Sequence, residues 1–481
     1  MIDGLKPYPA YAYQDSGVRW LGEIPTHWEV TPIGRIGTLM KGSGGTKADD
    51  SINGVPCIRY GDLYTRHEFF IRSTRSFVTQ ERSAEYTPVS YGDVLFAGSG
   101  ETIEEIGKSA VSLITSRACC GGDVLLLRPT HEVVPGFLGY ASDCDPSVHQ
   151  KAIMGRGVTV MHIYADRLKY LWLPFPPLPE QAAIARFLDH ADWRIRRYIA
   201  AKKKLIALLD EQKQAIIHRA VTRGLDPNVQ FKPSGVESLA DVPAHWEVRR
   251  GKFVFSCVDV RSKTGKEELL TVSSRDGVVP RAGRNITMFM AASYVGHKLC
   301  WPGDLVVNSL WAWARGLGFA RDHGIVSTAY GVYRLRDEYQ GLWRYLDLLL
   351  RSDAYDWQFN VRSQGIWKSR LQLTDASFLD MPIVLPPVDE AEALVDYVGK
   401  ATEGLDAAIS HASGEIALLH EYRTRLIADV VTGKLDVRDA ATGLPDEFEQ
   451  IEPLGDVDAP PEGEGSEDEA ALDTETGEIE G

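Results

Sequence analysis

Two short stretches hold the side chains best suited to chemistry. GSGETIEEIGKSAV (98–111) follows the apolar run YGDVLFAG and brings Ser99, Glu101, Thr102 and Lys108 onto a glycine-rich segment. Gly100 and Gly107 are seven apart where a phosphate-cradling Walker loop needs five, so nucleotide binding is not expected here. Two readings remain: a hairpin or loop with solvated polar groups, or a loop that reaches a ligand with those four residues. The second stretch, NSLWAWARG (308–316), stands at the matching place after PGDLVV and offers Asn308, Ser309, Trp311, Trp313 and Arg315. Amide, hydroxyl and guanidinium groups can hydrogen-bond base edges, and indoles can stack on bases. The plainer alternative is one buried and one partly exposed tryptophan. Two further loops also correspond: GRGVTVMHIYADRL with Arg156, and FNVRSQGIWKSRL with Arg362, Gln364, Lys368 and Arg370. Ordinary surface charge is the competing account of each basic residue taken alone.

Catalytic signatures are missing from the sequence. It has no Asn-Pro-Pro-Tyr motif, no glycine-rich S-adenosylmethionine loop, no Walker A, no metal-ligand spacing and no nucleophile elbow. His27 and His245 recur in a duplicated HWEV, each with Trp and Glu beside a proline, and read as structural rather than catalytic. The six cysteines (57, 119, 120, 144, 257, 300) show no C-x-x-C spacing and read as reduced thiols of a cytosolic protein, with Cys119 and Cys120 acting as small buried hydrophobes. A basic-then-apolar leader and an apolar window of membrane-spanning length are both absent, so a cytoplasmic chain with no membrane partner is expected.

What must position these loops is a duplicated scaffold. SGVRWLGEIPTHWEV (16–30) matches SGVESLADVPAHWEV (234–248) at nine of fifteen positions, and ALLDEQKQAIIHRAVTRGLD (207–226) matches ALLHEYRTRLIADVVTGKLD (417–436) at nine of twenty. PFPPLPEQ has a degenerate echo in VLPPVDEA (384–391). The period of about 210–218 residues suits a duplicated domain plus helix rather than a solenoid repeat. Prolines 174, 176, 177 and 179 bar helix before Glu180. Beyond it Ile184, Leu188, Ala191, Ile195, Ile199, Ile206, Leu209, Ile216 and Ala220 form one helical stripe, which Gly224 and Pro227 end. A second stripe runs through Leu394, Val398, Ala401, Leu405, Ile409, Ala412, Ile416, Leu419, Ile427 and Val430. Each rod is longer than one domain needs, which favours a two-stranded coiled coil over ordinary core helices.

The formal charge of −15 comes from the C-terminal end: residues 440–481 hold fifteen Asp and Glu and no Lys or Arg, leaving 1–439 neutral. Residues 178–226 carry +4 and residues 388–436 carry −6, so the two helices should pair. The expected fold is α/β (mixed α+β) with a pseudo-twofold internal repeat. Its expected parts are a first globular domain (1–177), a first long helix (178–226), a second domain (227–387), a second long helix (388–436) and a disordered acidic tail (437–481).

The order IPTHWEV, variable domain, PPLPEQAAIARFLD, long helix, AVTRGLD, VPAHWEV, second variable domain, second long helix and VVTGKLD resembles the specificity subunit of Type I restriction-modification systems, over residues 15–436. The departures are VLPPVDEAEA in place of the usual second proline motif, and the acidic tail. The resemblance implies two target recognition domains, each reading one half of a bipartite double-stranded DNA sequence. They would be joined by two antiparallel helices that dock methyltransferase (modification) subunits, with restriction subunits joining that core. It implies a non-catalytic subunit without cofactors of its own, with S-adenosylmethionine, ATP and Mg held by the partners of an adenine-methylating, DNA-cutting complex. The competing reading is a protein-binding scaffold or inhibitor whose acidic tail imitates DNA.

Overall fold

The computed structural model describes residues 6–8, 12–45, 47–100, 102–157, 160–236, 239–282, 293–365 and 371–444. Two long helices dominate it, Leu178–Arg223 and Val388–Val431. The first begins two residues earlier than the proline rule suggests. Pro177 carbonyl accepts from the amides of Glu180 (2.8 Å) and Gln181 (3.0 Å), so Pro179 sits in the first turn, where its missing N–H would be unpaired anyway. Gly224 ends the helix at φ +69°, a left-handed conformation that side chains resist, and Gly433 does the same for the second at φ +76°.

Contacts group the chain into two units, and the division cuts both helices near their middles. Among the described residues, those up to Lys202 together with 414–444 form unit 1, and those within Lys203–Ser413 form unit 2. Each unit is therefore a globular part plus half of each helix, whereas the sequence had suggested boundaries at the helix ends. Within unit 1, Arg196 and Arg423 both pair with Asp192 and Glu68, and Lys202 pairs with Glu415 at 2.6 Å. As one helix advances the other retreats, so the paired halves are antiparallel. Burial alone would raise the Glu68 carboxyl, but the hydrogen bonds and charges of Arg423 and Arg196 outweigh it and hold it at about 2. In unit 2 Lys213 meets Asp406 at 2.5 Å, and Gly224 lies beside Glu390. The basic-to-acidic pairing read from the sequence is thus realised in each unit. The more open pairs, Lys202–Glu415 and Lys213–Asp406, each contribute at most about 1 kcal/mol, and the buried stripe, for example Ile184, Leu188, Ile195 and Ile199 in unit 1, supplies most of the adhesion.

The globular part of unit 1 has two five-stranded sheets. One is ordered 37–41, 124–129, 94–97, 109–112, 70–71, and the other 50–51, 77–78, 55–58, 118–120, 87–89. YGDVLFAG and GGDVLLLRP supply the buried strands Val94–Ala97 and Val124–Pro129, as their apolar runs predict. Unit 2 has a four-stranded sheet ordered 255–257, 330–335, 304–308, 317–319. The strand starts share one device. Asp93 accepts from Ser90 amide (2.7 Å) and binds Arg128, while Asp304 accepts from Trp301 amide (2.9 Å) and binds Arg334.

The repeated HWEV closes each unit. Its strand Glu29–Pro32 pairs antiparallel with Trp172–Phe175, which leads into the first long helix; Glu247–Arg250 pairs likewise with Pro382–Leu385 before the second. His27 Nε2 then meets Glu180 at 2.8 Å, and His245 Nε2 meets Glu390 at 2.7 Å. The two joints are not equal. Glu180 is buried and also accepts from Tyr8 Oη (3.1 Å) and Trp28 Nε1 (3.0 Å), with Arg438 at 3.7 Å. Glu390 is more open, and the buried Trp246 Nε1 has no hydrogen-bond partner among the described residues.

The expected tail begins too early. Arg438–Thr442 is a short helix, Val437 and Ala441 are buried in the unit 1 core, and Asp436 amide donates to Lys6 carbonyl at 2.9 Å. Residues 437–444 therefore belong to the folded unit, because Val437 and Ala441 have an apolar surface to cover. Residues 445–481 lie outside the described residues.

Removing Glu180 strands two buried donors, whereas removing Glu390 strands a half-exposed histidine. Glu180→Ala should cost about 3 kcal/mol or more and Glu390→Ala about 1 kcal/mol. Urea denaturation followed by tryptophan fluorescence checks the ranking, and equal losses would contradict it.

Candidate nucleic-acid interface

In both units the candidate loops leave the sheet just after the Asp-anchored strand. In unit 1, Ser99–Gly100 pairs with Met161–His162. Ser99 Oγ lies 3.0 Å from His162 Nδ1, and Tyr64 Oη donates to Ser99 carbonyl at 2.8 Å. Thr102 is exposed at the turn, and Glu101 lies outside the described residues. The segment is a hairpin, since Ser109–Ser112 returns antiparallel to Val94–Ala97.

Lys108 does not project toward a ligand. Its Nζ donates to Asp143 Oδ2 at 2.6 Å, while the fully buried Lys151 Nζ donates to Asp143 Oδ1 at 2.6 Å. Burial pushes the Lys151 ammonium down, and Asp143 opposes that shift. The adjoining cleft of about 370 Å³ is lined by Glu68, Glu104, Glu105 and Asp145 as well as the lysines. That balance of charge does not suit a polyanion.

Unit 2 also turns its candidates inward. Asn308 is buried; its Nδ2 donates to Tyr330 Oη (3.3 Å) and its Oδ1 accepts from Leu310 amide (3.2 Å). Ser309 Oγ donates to Ala329 carbonyl at 2.5 Å. Trp311 and Trp313 stack on each other at 5.3 Å, each half-buried, and Trp313 Nε1 donates to Leu310 carbonyl at 3.0 Å. Arg315 has φ +61° and grips Asp356 with both Nε (2.5 Å) and Nη2. Asn308, Ser309 and Arg315 thus shape the loop itself.

Arg362 donates to Gln358 and lines a cleft of about 440 Å³ with Trp357, Val361, Gly235 and Pro382. Arg156 and Gln364 are exposed, and each is held by a backbone bridge: Arg156 to His162, and Gln364 to Gln372. Arg370 lies outside the described residues. Sequence reasoning missed His162 and Gln372, which the near-constant offset of the repeat points to, and Asp143 and Asp356, which nothing local indicates. Each repeated histidine pairs with a glutamate in the first turn of a long helix. Among the described residues no group of His, Cys, Asp and Glu is arranged to hold a metal, and no helix is long and apolar enough to cross a membrane.

No family model matches the chain. It is 24% identical over 434 residues to the type I restriction enzyme EcoKI specificity subunit of Escherichia coli, covering 86% of this chain and 90% of that one. It is also 29% identical over 235 residues to a Methanocaldococcus jannaschii chain named as the MjaX specificity subunit, covering 47% of this chain and 52% of the relative. The chain's relatives are type I restriction specificity subunits. It spans about half the length of the MjaX relative and nearly all of the EcoKI one. A solved chain from work on complex assembly and conformational transition of the type I R-M system shares the fold. Its TM-score is 0.59 at 16% identity, covering 86% of this chain and 99% of that chain. The mixed helix and strand architecture with two long helices is therefore shared with that solved chain.

Since Arg315 is spent on Asp356, Arg315→Ala should act through stability. It leaves a half-exposed carboxylate unpaired beside a left-handed turn and should cost about 1–2 kcal/mol. Thermal melting checks this; wild-type stability with altered base preference would contradict it.

Proposed function

We propose that this chain is the DNA sequence-recognition subunit of a type I restriction-modification complex. Each unit reads one half of a bipartite, asymmetric double-stranded DNA target, and the long helices set the spacing and dock the modification subunits. The observation that carries this reading is the pair of diverged copies of one unit threaded on two continuous helices, in a chain similar to EcoKI's specificity subunit along nearly its whole length. Divergence of the loops makes the two half-sites different, and the continuous helices hold the gap constant.

This chain contributes recognition and no chemistry. Adenine methylation and DNA cleavage belong to modification and restriction subunits, which carry S-adenosylmethionine, ATP and Mg, in the cytoplasm where the DNA is. Neutrality over residues 1–439 fits such a division. A free-standing DNA-binding protein gains affinity by releasing counterions from phosphates with a basic surface. Here that affinity comes from the assembly, and the specificity subunit supplies the choice of sequence.

The helices give the direct test. Because the paired halves are antiparallel, both must be lengthened together, after Lys202 and after Ser413, where the units divide. Four residues in each add roughly 6 Å and turn the face about 40° beyond a full turn. At about 3.4 Å per base pair that is one to two base pairs. Methylome sequencing should show the unrecognised gap lengthened by that amount with both half-sites unchanged. An active variant with an unaltered gap would sink the spacing role.

A further inference from the structure

The loops nearest the repeated strand ends differ in sequence but share a backbone construction. In unit 1, Arg156 and His162 form a two-residue antiparallel bridge, with Arg156 amide to His162 carbonyl at 2.9 Å and the return bond at 2.7 Å. In unit 2, Gln364 and Gln372 form the same bridge, both bonds 2.9 Å. Each bridge is moored to the loop after the central strand by its next residue: Ile163 amide to Gly98 carbonyl (3.0 Å), and Leu373 amide to Ser309 carbonyl (2.8 Å). Ile163 and Leu373 are buried, so the moorings are fixed points of the two folds. The inward-turned Asn308 and Ser309 stiffen this mooring in unit 2, and the Ser99–His162 contact does so in unit 1.

Directly opposed residues of such a bridge carry their side chains on the same face of the ribbon. Arg156, Gln364 and Gln372 are exposed and His162 is half-buried. Two backbone strands side by side can enter a DNA major groove, and each bridge sets two strands side by side. The repeat thus keeps the backbone and varies the donors: a guanidinium and an imidazole in unit 1, two amides in unit 2. A guanidinium is donor-only and fits the two acceptors of guanine, O6 and N7. A carboxamide both donates and accepts and fits adenine N6 and N7.

We propose that these bridged pairs are specificity-determining: Arg156 selects a guanine in the half-site read by unit 1, and Gln364 with Gln372 selects an adenine in the half-site read by unit 2. This rests on the DNA-recognition reading above and adds which residues choose which base class.

The test uses the full chain in complex with its modification subunits, selecting from a pool of random-sequence duplexes. Arg156→Gln should reduce guanine preference at one position of one half-site by roughly 10- to 100-fold and leave the other half-site intact. Arg156→Lys, which keeps a cationic donor, should retain that preference. Gln364→Ala with Gln372→Ala should relax one adenine position in the other half-site. An unchanged consensus in Arg156→Gln, a loss spread evenly over both half-sites, or equal loss in Arg156→Lys at wild-type melting temperature would each overturn the assignment. A wild-type complex that selects no bipartite sequence would instead overturn the recognition reading, and this assignment with it.

Discussion

The carboxylate in the first turn of each long helix is the contact on which the rest of the structure depends. Glu180 and Glu390 bind the histidine of the repeated HWEV, at 2.8 and 2.7 Å, and the strand just after each histidine pairs with the strand feeding the helix. A helix N-terminus favours negative charge, so the carboxylate is well placed even before its partner arrives. The contact ties the first turn of a helix of more than forty residues to the repeated HWEV segment.

Duplication let the two copies of this joint drift apart. In unit 1, Gln181 continues the motif: its Oε1 accepts from Val134 amide (3.0 Å) and its Nε2 donates to Pro176 carbonyl (2.9 Å), stitching the helix start to the globular part. Ala391 takes the place of Gln181 in unit 2 and only packs. The first joint is completed by Tyr8 and Arg438, residues from the two ends of the described chain. The degenerate second proline motif is therefore a weakened joint of unchanged design, since the glutamate is kept and its accessory bonds are lost.

The scaffold was legible in the sequence for the same reason. The 3.6-residue stripes, the glycine stops and the duplicated HWEV are local patterns, and they become the helices, their ends and the joints. The loops were far less legible. Lys108 and Arg315 adjoin glycines and Asn308 adjoins a serine, which reads as a ligand loop, yet each is consumed by a partner far along the chain. Asp143 is 35 residues from Lys108, Tyr330 is 22 from Asn308 and Asp356 is 41 from Arg315. Whether a polar loop side chain turns in or out depends on such distant partners, and periodicity carries no information about them. Arg156 and Gln364 escape because their backbones are held by bridges that leave the side chains exposed.

The central claim is that two diverged units on shared helices make one reader of a divided sequence. Selection of random-sequence duplexes by the wild-type chain assembled with its modification subunits, repeated across a salt series, tests it most directly. The account predicts two unlike constant blocks separated by an unread gap of fixed length. It also predicts that affinity falls steeply with salt while the two blocks stay the same. A single constant block, two identical blocks, or a gap of variable length would contradict it.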